Sequence, residues 1–215
     1  MRMKIKYLTK PAIEAEAGAL LADFGHTRSP VAVPPVPVDD ILESGLRLSL
    51  DLDNLPEMLG VAGALEATWV STREVFVDQS LDPAEYPHNE GLYNETLGHA
   101  IGHWQLHRSY VSTNPPGSFC CIPSSARILE READYFSWCL LMPRLMVFDA
   151  WHSRANWSDW TVASIASPCA SACCTDGFEY GAAACGMAHV FRVTVPTMQR
   201  RLEELGLVTN TASQG

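Results

Sequence analysis

The sequence lacks several features that would settle its class at once. It has no uninterrupted apolar run of about 18 residues, so no segment reads as a membrane-spanning helix. It has no surplus of positive charge. Against 25 Asp and Glu stand 15 Lys and Arg, and the formal charge of -10 excludes a generally basic, phosphate-clamping surface while leaving a local basic patch open. There is no internal repeat, and no low-complexity tract beyond the proline run SPVAVPPVPV. The opening run MRMKIKYLTKPAIEAEAG turns acidic before any apolar core, which is wrong for a secretory signal. With no export signal, seven cysteines are expected to be reduced thiols of a cytoplasmic protein rather than a disulfide framework.

What is present suits one domain with a sizeable core: 215 residues, 47% hydrophobic and 19% charged. Residues 11–25 place Ile13, Ala17, Leu20, Leu21 and Phe24 on one face, predicting a helix that Gly25 stops. After the proline run, Asp39 is expected to cap a short helix ending at Gly45. Alternation predicts short strands around 46–50, 63–70 and 74–77. Helices are expected over 92–107 and 126–141, the second closed by Met142-Pro143, with the run STNPPGSFCCIPSS as a loop between them. The pattern weakens over 151–188, which reads only loosely as helical. Thr194 then caps a helix through Leu205, with Leu202 and Leu205 facing inward and Gly206 ending it.

The chemistry concentrates in Leu97-Gly98-His99-Ala100-Ile101-Gly102-His103-Trp104. Histidines four apart on a helix share a face, so His99 and His103 can reach one ion. The plain alternative is a pair of partly buried helix histidines. Gly102 leaves room for close packing beside that face, and His107, one turn on, reads as an outer-layer or surface group. The later helix adds carboxylates. Glu130 can supply a third ligand, leaving the fourth position open to water as catalytic zinc requires, while Asp134 accepts the far N–H of a ligand histidine. Glu132 is the rival ligand, but it points to another side of the same helix. In zinc peptidases the residue after the first histidine is a glutamate that takes the proton of the attacking water; here it is Ala100.

The runs GLYNETLGHAIGHWQLH and LEREADYFSWCLLMP resemble the ImmA/IrrE family of zinc metallopeptidases, and the resemblance extends to most of the chain outside about residues 150–188. It implies an α+β, zincin-like domain over residues 1–148, with a helical, cysteine-containing segment over 149–215 packed on the same domain. It implies zinc as cofactor, with His99, His103 and Glu130 as ligands. It also implies a helix-turn-helix repressor as substrate, cleaved to release a stress, DNA-damage or phage-defence operon. Ala100 occupies the place of the family's general base. Because the rest of the site is intact, Ala100 reads as a deliberate inactivating replacement in preference to a natural pseudo-enzyme that binds its repressor, or senses DNA or redox state, without cutting.

Cys120 and Cys121 lie between the two ligand helices, and a thiolate in the open position would exclude the catalytic water, so a cysteine switch is expected of one of them. Cys169, Cys173, Cys174 and Cys185 read as buried helix residues, or less readily as a second zinc site; Cys139 reads as core. Single-stranded DNA is a candidate activator through Arg108, Arg127 and Arg131. The pair Arg200 and Arg201 is too little for duplex binding.

Overall fold

The computed structural model describes residues 7–110, 118–120, 127–153 and 178–208. Helical spacing of apolar residues sets the first element: α1 (Lys10–Thr27) buries Ile13, Ala17, Leu20 and Phe24. Gly25 does not stop it. The helix continues to Thr27, whose Oγ1 donates back to the Phe24 carbonyl at 3.0 Å. Asp39 is not a cap either. It lies within α2 (Val38–Asp40), accepts the Tyr93 hydroxyl at 2.7 Å, and the chain runs on as a π turn over Ile41–Gly45.

Four strands form a mixed sheet in the order β1-β3-β2-β4. Strand β1 (Ser49–Asp53) runs parallel to β3 (Glu74–Asp78), while β2 (Glu66–Trp69) lies antiparallel to β3 and to β4 (Ser118–Cys120). A short helix, α3 (Leu55–Leu59), joins β1 to β2, capped by the Asn54 side chain accepting from Glu57 N. Strand β1 lies downstream of the expected 46–50, and its exposed Ser49, Asp51 and Asp53 make a charged outer edge that resists further pairing. Strand β4 corrects the expected loop. Three residues are too few to show alternation, so only the pairing with β2 defines them.

Helix α4 (Glu90–Gly102) packs against β2 and β3 on one side and against α5 (Arg127–Leu141) on the other. Gly98 and Gly102, one turn apart, allow the two helices to touch backbone to backbone. A Cβ at Gly98 would collide with Ser137, and one at Gly102 would stand 3.0 Å from Ala133 Cα. Helix α4 continues as a π turn, His103–His107, where a single helix to 107 was expected.

The chain closes with α6 (Arg144–Ser153), α7 (Phe178–Phe191) and α8 (Val195–Glu204). Met187, Phe191, Met198 and Leu202 enter the same buried cluster as Ile13, Leu97 and Phe136, so the described part of the carboxy-terminal segment shares one core with the rest. Thr194 caps α8 by accepting from Thr197 N, and Gly206 follows with a φ of 71°. Leu205 is only half-buried. Arg201 is not a surface cation. It is fully buried, donating to the Met142 carbonyl and to Glu14 Oε1, each at 3.1 Å, and to Glu204. Among the described residues no helix is long and apolar enough to cross a membrane.

Gly102→Val is expected to force α4 and α5 apart and cost about 1–3 kcal/mol, as overpacking of a closed core does. Urea denaturation monitored by circular dichroism measures that loss.

Candidate metal centre

Helix α4 and the π turn that continues it present His99 and His103 one turn apart, with their Nε2 atoms 2.9 Å from each other. Glu130, in the first turn of α5, brings Oε2 to 3.3 Å from His99 Nε2 and Oε1 to 3.6 Å from His103 Nε2. Ligand atoms on a tetrahedral zinc stand roughly 3.3–3.5 Å apart, so a small opening of the histidine pair would seat an ion among these three side chains. The donor set, two imidazoles and a carboxylate, is one that suits a divalent metal ion such as zinc. Asp134 Oδ1 lies 2.9 Å from His99 Nδ1, as expected of a group that fixes the tautomer and leaves Nε2 facing the others.

A second chain of contacts backs His103. Its Nδ1 is 3.0 Å from His107 Nδ1, and His107 Nε2 is 3.0 Å from Glu132 Oε2. The other Glu132 oxygen accepts the Leu8 backbone N–H at 2.7 Å. His107 is therefore an interior group, with none of its surface exposed. Glu132 is not a rival ligand. It anchors His107 from beneath the centre.

Glu66 on β2 is the residue that sequence reasoning missed. It is 1% exposed, and its carboxylate and the ligand nitrogens of His99 and His103 all lie within 4.8 Å of one another, a triad able to hold a metal ion. Thr68 Oγ1, two residues along the same face of β2, donates to Glu66 Oε2 at 3.1 Å. The one signal in the sequence is a glutamate at an inward position of a short strand, and that is visible only once the inward face is known.

The charges in the centre are coupled. Burial pushes the Glu130 carboxyl up, but hydrogen bonds and charge from His103 and His99 outweigh it and hold it at about 2. Burial likewise pulls His99 down, and the carboxylates of Asp134 and Glu130 overcome this to raise it to about 10. For His107 burial wins over Glu132 and the pKa falls to about 4, so the ring is neutral near pH 7. The metal-free centre thus keeps a proton on His99 at neutral pH. That proton stabilises the fold fully below the unfolded histidine pKa, and its contribution fades as pH rises through about 10.

The other sequence candidates fall elsewhere. Ala100 is fully buried and contributes only a methyl to the core. The backbone of Cys120 pairs with Ala67, next to Glu66, while Cys121 lies outside the described residues. Cys139 is core as expected, its thiol pushed up to about 11 by burial. Cys185 is half-buried on α7, and Cys169, Cys173 and Cys174 lie outside the described residues. Arg108 donates to the Trp104 carbonyl and lies over its ring, and Arg131 is exposed. The side chain of Arg127 lies outside the described residues. No family model matches the sequence, and no curated protein matches it.

Zinc binding near pH 7.5 is expected to release about one proton, that of His99, and to tighten as pH rises. Calorimetry in buffers of different ionisation enthalpy counts it. Glu132→Gln is expected to weaken zinc binding by about 10–100-fold, the usual effect of losing an outer-layer partner. Competition against a chromophoric chelator reads that change.

Proposed function

We propose that the chain is a zinc-dependent endopeptidase of zincin-like fold that acts in the cytoplasm on a helix-turn-helix repressor. The observation that carries the metal part is Glu130 spanning His99 and His103, with Asp134 holding the far nitrogen of His99. The substrate part rests on the resemblance of the two ligand-helix runs to ImmA/IrrE peptidases. His99, His103 and Glu130 would hold the ion, which when bound polarises the scissile carbonyl and acidifies the attacking water. The chain's own groups do the rest of the positioning. Asp134 orients His99, His107 with Glu132 orients His103, and the outer edge of β4 offers backbone groups to an extended peptide. Single-stranded DNA as activator, and a cysteine of the 120–121 pair as a switch, rest on sequence reading alone.

Position 100 supplies no proton acceptor, and loss of a general base costs on the order of 10²–10⁴ in rate. A second reading, a pseudo-protease that binds its repressor without cutting, draws on one observation: the Ala100 methyl sits wholly within the core.

Purified chain is expected to carry about one zinc by elemental analysis, lost in His99→Ala and His103→Ala. Incubated with helix-turn-helix repressors of its own host, the Ala100→Glu variant is expected to cut one of them at a single bond. Zinc-loaded protein that binds one of these repressors and leaves it whole, with either residue at position 100, would establish the pseudo-protease. Absence of stoichiometric zinc would remove the metal reading altogether.

A further inference from the structure

We infer that Arg47, Arg73 and Arg108, gathered around Trp104 at one end of the sheet, form a docking face for an acidic segment of a protein partner. None of these residues is a candidate metal ligand, so the face stands whether or not the centre takes zinc.

Topology brings the three arginines together. Arg47 precedes β1 and Arg73 precedes β3, and these strands run parallel as neighbours, with Ser49 opposite Glu74. Arg73 Nε donates to the Arg47 carbonyl at 3.2 Å, and its Nη2 donates to the Leu46 carbonyl. The same guanidinium stands over the Trp104 ring, 5.0 Å from its centroid. Arg108, about one helical turn after Trp104, stands 5.6 Å from that centroid. Its Nη1 donates to the Trp104 carbonyl at 2.9 Å and to Gln105 Oε1 at 3.1 Å. One buried indole thus ties together two guanidiniums from distant parts of the chain.

The charge gathered there is uncompensated. The chain has a formal charge of -10, yet no described carboxylate pairs with any of the three. Arg144, Arg192 and Arg201, by contrast, each hold a glutamate. All three arginines of the face are exposed. Arg108 spends only its Nη1. Its Nε and Nη2, the donors that grip a carboxylate side-on, meet no described acceptor. Arg47 and Arg73 sit on left-handed backbone, with φ of 55° and 63°, which glycine adopts at less cost. The local backbone does not call for arginine at either place.

An acidic peptide fits this face better than a nucleic acid does. A single strand is held by stacking its bases on open aromatic faces, and Trp104 is 6% exposed with two guanidiniums over its ring. A long phosphate chain would also meet Asp51 and Asp53, exposed on the edge strand β1 that Arg47 leads into. A short run of carboxylates needs only the fixed guanidinium donors.

Fluorescence anisotropy at low salt tests this on the intact chain. The probes are a labelled peptide of alternating Glu and Gly, the same peptide with Gln in place of Glu, and oligothymidylate of equal length. The Glu peptide is expected to bind, and to bind less tightly as salt rises; the Gln peptide is expected not to bind. Arg47→Gln and Arg108→Gln are each expected to weaken the Glu peptide about tenfold, as loss of a charge-assisted contact does. Arg28→Gln, at an exposed arginine just past α1, is expected to leave binding unchanged. Circular dichroism melts equal to the parent's keep loss of folding out of the comparison. No binding of the Glu peptide, equal binding of the Gln peptide, or an equal loss in Arg28→Gln would overturn the assignment. Tighter binding of oligothymidylate with the same arginine dependence would make the face a nucleic-acid site and overturn it too.

Discussion

The close approach of α4 and α5 is the constraint on which the rest of the molecule depends. Side chains on neighbouring helices usually hold the axes about 8–10 Å apart. Gly98 and Gly102 remove them on the contact line, so Ser137 and Ala133 of α5 sit against the α4 backbone. Only at that distance does a glutamate in the first turn of α5 reach two imidazoles on α4. The same contact carries Asp134 to His99 and Glu132 to His107, because all three acids belong to one helix. Packing, in this protein, comes before chemistry.

Burying so many polar groups is tolerable only when each has a partner. The structure meets that demand with two chains of contacts that converge on the histidines. One runs from Asp134 to His99, the other from the Leu8 amide through Glu132 and His107 to His103. A third network joins the buried Arg201 to Glu14, Glu204 and the Met142 carbonyl. Partly satisfied networks of this kind are expensive, and fully satisfied ones fix a single arrangement of the core.

Much of this was readable from residues alone, and the reasons are physical. The periodic face of α1, the Thr194 cap and the i, i+4 histidine pair are local features, encoded within one or two helical turns. Glu130 and Asp134 could be assigned because they share a helix face, with Asp134 free to hold a ligand histidine. What escaped was whatever depended on partners distant in sequence. Glu66 is an ordinary strand residue until β2 is laid against α4. Arg201 looks like half of an exposed basic pair until Glu14, near the other end of the chain, closes on it. The burial of His107 follows from the π turn, which no apolar periodicity announces. Strand β4 exists through its pairing with β2, and three residues carry no pattern of their own.

The shared core of the first and last helices has a consequence for how such a protein can be divided. Glu14 of α1 meets Arg201 of α8, and Met187, Phe191, Met198 and Leu202 lie in the cluster that holds Ile13 and Phe136. Gene fusion or fragmentation that separated α8 from α1 would break the Glu14–Arg201 pair, leaving Glu14 to Arg144 and Arg201 to Glu204, and would open an apolar face to solvent. The terminal helix is therefore not a detachable DNA-reading appendage. The helix that carries His99 and the helices that close the chain bury their apolar faces in one core and depend on each other for it.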